Sequence, residues 1–263
     1  MLIDIIRQLT IDGPYFAARG HTSNSLELLR LAIDAAHDEP ETRHYLLSKL
    51  GNTYADFLGD LPAAEQAYTE ALKLAEQLNA PRRQAILLAV IGKTRFLQGA
   101  NDADDCYARA EQIARDSQDD FALCFVLHHR GYQMTLRQPD PDYESAWALC
   151  DEAVAIAARN ELHELHFHSL INRGGCEYEL DRPQQALATH LEAYQLAQAQ
   201  NNHPWMASAL QSLGEDYDSL GDQTQAQRSL DEALALWRQT GGKAQAATLI
   251  DFMQARGYTV HPE

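Results

Sequence analysis

The sequence has no long apolar run: nowhere in its 263 residues does a hydrophobic stretch approach the roughly 20 residues that span a bilayer. It has no basic leader ahead of a small-residue cleavage site either, and its opening stretch carries an acid at Asp4. No signal peptide is expected, and the cytoplasm is the expected compartment. Cysteine is scarce and scattered. Cys106, Cys124, Cys150 and Cys176 include no C-x-x-C, which disfavours a thiolate metal site and predicts buried free thiols. Positive charge is in deficit: 21 Lys and Arg against 38 Asp and Glu give a formal net charge of -17. Phosphate binding needs a Lys/Arg footprint, so nucleic acid is not an expected partner, nor is an anionic membrane. A neutral or basic polypeptide remains compatible. No linker or low-complexity segment interrupts the chain, and 45% hydrophobic residues suffice for a substantial core.

What is present is a repeat. Six times a leucine is followed four positions later by a glycine: Leu9/Gly13, Leu47/Gly51, Leu88/Gly92, Leu127/Gly131, Leu170/Gly174 and Leu210/Gly214. By subtraction the glycine-to-glycine steps are 38, 41, 39, 43 and 40 residues. A second glycine follows seven or eight residues later in four units, as Gly20, Gly59, Gly99 and Gly221. Ten of the fourteen glycines thus fall in two columns, which chance does not produce.

Downstream of each Leu-x3-Gly runs a second spacing, small-x3-larger-x2-Ala. It reads Ser25/Leu29/Ala32, Ala64/Tyr68/Ala71, Ala103/Tyr107/Ala110, Ala146/Cys150/Ala153, Ala186/His190/Ala193 and Ala226/Leu230/Ala233. Offsets of four and three place these residues on one helix face, and Leu-x3-Gly does the same for the preceding helix. Small residues allow the two antiparallel helices to approach closely. Each unit is therefore expected to be a helix pair with a seam of Gly and Ala. The punctuation agrees: Gly59, Gly99 and Gly221 sit where a first helix would end, and Asp60, Asn101, Asp142 and Asp222 where a second would be capped. Pro62 and Pro183 fit a first helical turn, and Pro81 and Pro204 mark the start of a new unit.

These residues resemble the tetratricopeptide repeat (TPR) signature, large-x2-Leu-Gly-x2-Tyr followed by Ala-x3-Phe and a closing Ala. Leu210-x2-Leu213-Gly214-x2-Tyr217 with Ala226, Leu230 and Ala233 follows it closely, and Leu47-x2-Leu50-Gly51-x2-Tyr54 nearly as well. The resemblance covers roughly residues 1–240. It departs from the family in three ways: the period is about 40 rather than 34, the closing proline is absent or displaced, and Pro14 falls inside the first expected helix. The longer period implies longer helices, as in long-repeat arrays of bacterial regulatory proteins. The resemblance implies an all-α, right-handed α-α superhelix forming one solenoid domain over 1–263. Repeat 1 spans about 1–38 and is degenerate, repeats 2–6 span about 41–240, and a capping helix at about 243–256 covers the last apolar face. Gly257 ends that helix, and Tyr258 to Glu263 are expected to be mobile.

Catalytic patterns fail on spacing. In His163-Glu164-Leu165-His166-Phe167-His168 the first two histidines are three apart, whereas a zinc protease motif needs four, so surface or seam histidines are expected and no metal. Gly174-Gly175 belongs to no phosphate-loop pattern and reads as a helix crossing with an extra small residue. Asp104-Asp105, Asp119-Asp120 and Asp151-Glu152 read as helix starts and solvated faces. No cofactor is expected.

The family resemblance places ligands on the concave face, lined mainly by each first helix. Positions six before, three before, one after and four after each column glycine supply the candidates: Tyr45, Asn52, Lys93, His128, Tyr132, His168, Tyr178, Gln211, Glu215 and Asp218. The same columns hold Ile86, Phe96 and Phe125, for which packing against the second helices is the competing reading. Aromatics supply rigid contact area, Asn52, Lys93 and His128 hydrogen bonds, and Glu215 and Asp218 a seat for a basic residue. The expected function is a non-enzymatic scaffold that binds a protein or peptide segment. A ligand-sensing regulator and a self-assembly module are the alternatives. Oligomeric state and partner are not legible.

Overall fold

The structure, a computed structural model, describes residues 22–261, with side chains from Leu26 onward. Leu9, Gly13, Pro14 and Gly20 lie outside the described residues, and so does the side chain of Ser25. The fold class is all-α: every regular element among the described residues is a helix. The chain divides into two compact units, Met1–His129 and Arg130–Glu263.

The described part of the first unit comprises α1 (Thr22–Ala35), α2 (Pro40–Asn52), α3 (Leu61–Gln77), α4 (Pro81–Leu97), α5 (Ala103–Asp116) and the first half of α6 (Asp120–Thr135). The Gly/Ala seam forms as its spacing demands. A Cβ added at Gly51 would run into the Tyr68 ring, and one at Gly92 would lie 2.9 Å from Tyr107. Ala64, Ala71 and Ala110 are wholly buried beside these crossings. Leu29 and Ala32 of α1 join Leu46, Leu47, Leu50 and Tyr54 of the α2 segment in one core with α3 and α4.

A π-helical turn, Thr53–Leu58, extends α2 until Gly59 closes it in the left-handed conformation at φ 64°. Its origin is visible in the spacing. Gly51 and Gly59 are eight apart where Gly92/Gly99 and Gly214/Gly221 are seven apart, and a π turn absorbs one surplus residue.

The second unit holds the rest of α6, then α7 (Tyr143–Arg159), α8 (His163–Glu179), α9 (Pro183–Ala199), α10 (His203–Ser219), α11 (Gln223–Thr240) and α12 (Lys243–Ala255). Gly131 faces Cys150, with 2.8 Å from an added Cβ to Sγ; Gly174 lies under the His190 ring; Gly214 lies under Leu230 at 2.5 Å. The "larger" column of the sequence is thus the set of side chains laid over the glycines. A further alanine column, Ala75, Ala114, Ala157 and Ala197, is wholly buried, and its carbonyls accept from Ala80, Asp119, Leu162 and Asn202 N–H as each second helix ends. In those turns Asn79, Gln118, Glu161 and Asn201 take positive φ without being glycine. Asp60, Asp142 and Asp222 cap their helices as expected, each accepting a backbone N–H three residues on. At α5 the N-cap is Asp102 rather than Asn101, and its carboxylate is held 2.7 Å from Arg95 instead of capping.

After α12 the chain does not run free. Tyr258 and Val260 pack on the core of Leu213, Leu234, Leu249 and Met253. Gln227 of α11 donates from Nε2 to the Thr259 carbonyl at 2.8 Å, and its Oε1 accepts the Thr259 N–H at 2.9 Å. Arg238 donates to the His261 carbonyl at 3.1 Å. The expected mobile tail is therefore, over Tyr258–His261, a strap laid along α11. Leu249-x3-Met253 also sits 39 residues beyond Leu210-x3-Gly214, so α12 is a further first helix with methionine in the glycine column.

Candidate functional site

Within each unit the first helices turn the predicted columns away from the seam. In the first unit Tyr45 is half-buried, with Lys49 Nζ 5.4 Å from its ring centre, and Lys93 is exposed. Asn52 is exposed, and its Oδ1 accepts from the Tyr68 hydroxyl at 2.7 Å. Ile86, Phe96 and Phe125 are half-buried rather than sealed in the core. His128 is half-buried with its ring 4.9 Å from that of His129.

In the second unit Tyr132 is 45% exposed on α6. Tyr178 of α8 is half-buried. One edge of His168 meets solvent while its ring lies 5.3 Å from Phe167 and 5.9 Å from Trp205, and that burial, against the pull of Glu164, holds its pKa below the usual imidazole range. Gly175 lies one step past Gly174 yet has nothing within 4 Å of an added Cβ, so no helix crossing accounts for it. On α10, Gln211 donates to Glu215 at 3.3 Å. Burial raises the Glu215 carboxyl above its ordinary range, opposed by the Gln211 hydrogen bond. Asp218 is met from within the chain, by Arg256 at 2.8 Å and by the Tyr258 hydroxyl.

Behind this face lie buried polar ties that the periodic reading missed. Glu177 of α8 accepts from Trp147 Nε1 at 3.0 Å and from Thr189 Oγ1 at 2.7 Å, joining α7 to α9. Arg173 adds Asp151 at 3.0 Å. His190 Nδ1 stands 2.6 Å from Asp216 Oδ2, both side chains almost wholly buried. The buried thiols of Cys150 and Cys176 occupy the corresponding positions one repeat earlier. Trp147–Glu177, Asp151–Arg173 and His190–Asp216 each join a second helix to the next first helix, while Glu177–Thr189 lies within one helix pair; no residue type recurs in the slot, so spacing alone could not find them. Among the described residues no three His, Cys, Asp or Glu side chains converge to hold a metal. No described helix is long and apolar enough to cross a membrane.

These features define an α-helical repeat protein whose units are helix pairs closed on a glycine seam. Residues 165–239 match the family model for the tetratricopeptide repeat. Among solved structures, BtubC (BKLC) from P. vanneervenii is similar over 93% of this chain and 93% of its own, with TM-score 0.67 and 20% identity. A Rap protein complexed with Competence and Sporulation Factor aligns over 93% of this chain and 72% of its own, with TM-score 0.65 and 14% identity. NprR in complex with its cognate peptide NprX aligns over 95% and 72%, with TM-score 0.61 and 14% identity. No curated protein sequence matches the chain. The family match is confined to residues 165–239, and over the rest of the described chain the likeness is one of fold.

Proposed function

We propose that this protein is a non-enzymatic interaction scaffold that binds a peptide or protein segment along the outward columns of its first helices. The observation that carries the reading is the contrast between columns. The described leucine and glycine columns are buried, while Tyr45 and His128 in the first unit, and Tyr132, His168 and Tyr178 in the second, keep aromatic surface open to water, as do the polar Asn52 and Lys93 of the first unit and Gln211 and Glu215 of the second. Stiff aromatics flanked by hydrogen-bonding groups gain contact area at little cost in side-chain entropy. The likeness to NprR, crystallised with its cognate peptide, supports a peptide as the occupant.

The neighbours solved with a bound factor, Rap with Competence and Sporulation Factor and NprR with its cognate peptide, also favour a second reading, a regulator that changes state on binding its ligand. A ligand that shifts the protein between two states must bind them with different affinity. Compaction on ligand addition, seen by small-angle scattering, separates this reading from a passive scaffold. For either, Tyr132→Ala combined with Tyr178→Ala is expected to abolish capture of the partner from native lysate. Unchanged capture of every bound protein by a folded double variant would sink the proposal.

A further inference from the structure

The strap shows what an extended segment looks like when this fold holds one. Gln227 takes both the N–H and the C=O of Thr259, an exchange that needs those two groups to point the same way, as they do in extended backbone. The amide reads main chain only and is indifferent to the side chain at 259. Tyr258 and Val260, on either side, turn instead onto the apolar core that contains Leu234 and Met253. Ahead of them Arg256 reaches Asp218. Read along the chain, the bound pattern is basic-x-aromatic-x-aliphatic with the middle main chain clamped. Main-chain capture with alternate side chains in apolar seats is a recurring mode of peptide recognition.

The strap is held lightly. The Gln227 and Arg238 hydrogen bonds lie at the surface, and Tyr258 and Val260 are only half-buried. Gly257, at φ 79° with open space around it, joins the strap to α12.

We propose that the face of α10 and α11 beneath the strap is a second peptide-binding surface, which shares only Asp218 with the first-helix columns. The chain fills it with its own Tyr258–His261, and it accepts in trans an extended segment of the pattern basic-x-aromatic-x-aliphatic. Asp218 supplies the negative charge that selects the leading basic residue, and Asp231 stands 3.8 Å from His261 at the other end of the strap. Because the strap is tethered, a competitor meets it at an effective concentration of order millimolar, so the wild-type chain resists weak ligands.

The test uses the full-length chain and a fluorescent peptide copying residues 256–263. Tyr258→Ser with Val260→Ser releases the strap without touching the surface beneath. The released variant is expected to bind the peptide at least about tenfold more tightly than wild type, which the tethered competitor shields. Gln227→Ala in the released background should weaken binding about fivefold or more, the loss of one or two hydrogen bonds. A peptide with serine in place of its tyrosine and valine should not bind. Equal affinity of wild type and released chain, or indifference to Gln227→Ala, overturns the proposal. Should the released variant fail to fold, hydrogen exchange at the Thr259 amide of wild type decides. Excess peptide in trans should accelerate that exchange, and an unchanged rate overturns the proposal as well.

Discussion

At the scale of single residues, Gly174 and Gly175 make a controlled comparison. The first lies under the imidazole of His190, which Asp216 pins from its other side, so a methyl at 174 has no room. Gly174→Ala is expected to cost about 1–3 kcal/mol through overpacking. Gly175 has only open space around it, and Gly175→Ala should stabilise by up to about 1 kcal/mol through helix propensity. Urea unfolding of the two variants should give shifts of opposite sign; equal signs would contradict the seam. Asp216→Ala leaves His190 buried without its partner and is expected to cost about 3–5 kcal/mol. His190→Leu with Asp216→Ala should cost less than the sum of the singles, as a double-mutant cycle would show. The glycine half of this was legible in the sequence because a missing Cβ recurs with the period of the fold. The His190–Asp216 tie was not, because its slot holds thiols one repeat earlier.

Titration follows the same residues. Burial holds His44, His166 and His168 below the usual imidazole range. The unfolded chain therefore takes up protons first, at about pH 6.5, and the stability these histidines contribute is present above that and lost as pH falls through their folded values. Glu215 runs the other way. Its carboxyl is raised by burial, so its contribution is present below the ordinary carboxylate range and lost as pH rises. Thermal melts should thus show Glu215→Gln more stable than wild type at pH 7, with the gain shrinking towards pH 4. If Glu215 seats a basic residue of the partner, the same variant binds that partner less well.

At the scale of elements, the turns carry a cost that can be relieved. Glu161 ends α7 at φ 54°, in a conformation costing a residue with a Cβ about 1 kcal/mol or more. Glu161→Gly should raise the melting temperature of the chain, whereas Glu152→Gly, inside the same helix, should lower it. The turns between first and second helices were legible because glycine marks Gly59, Gly99 and Gly221. Of those between one pair and the next, Pro81 and Pro204 marked two, but the turns at Gln118 and Glu161 were not legible, because these residues take left-handed backbone that their side chains do not advertise. The π turn at Thr53–Leu58 is an intermediate case: its one-residue surplus was countable, but a count does not say which hydrogen bonds will lengthen.

At the scale of the molecule, the repeat fixed which faces are buried and left the partner open. A face can be read from period alone, since every helix presents the same columns. Which of Tyr132, His168 or Tyr178 meets a ligand depends on that ligand. The strap escaped periodic reading for the opposite reason: four residues have no period, and their attachment rests on Gln227, Asp218 and Arg238, which recur nowhere else in that role.

Met253 has a practical consequence for engineering. Wherever a second helix is received, the first helix offers glycine, and a side chain such as Tyr107 or Leu230 lies in the notch. On α12 that notch is filled by a thioether, wholly enclosed with the strap beside it. A fusion that appends another helix pair after Gly257 would find the berth taken. Lengthening the array would need Met253→Gly and removal of Tyr258–His261 together, and either change alone would leave a void or a clash.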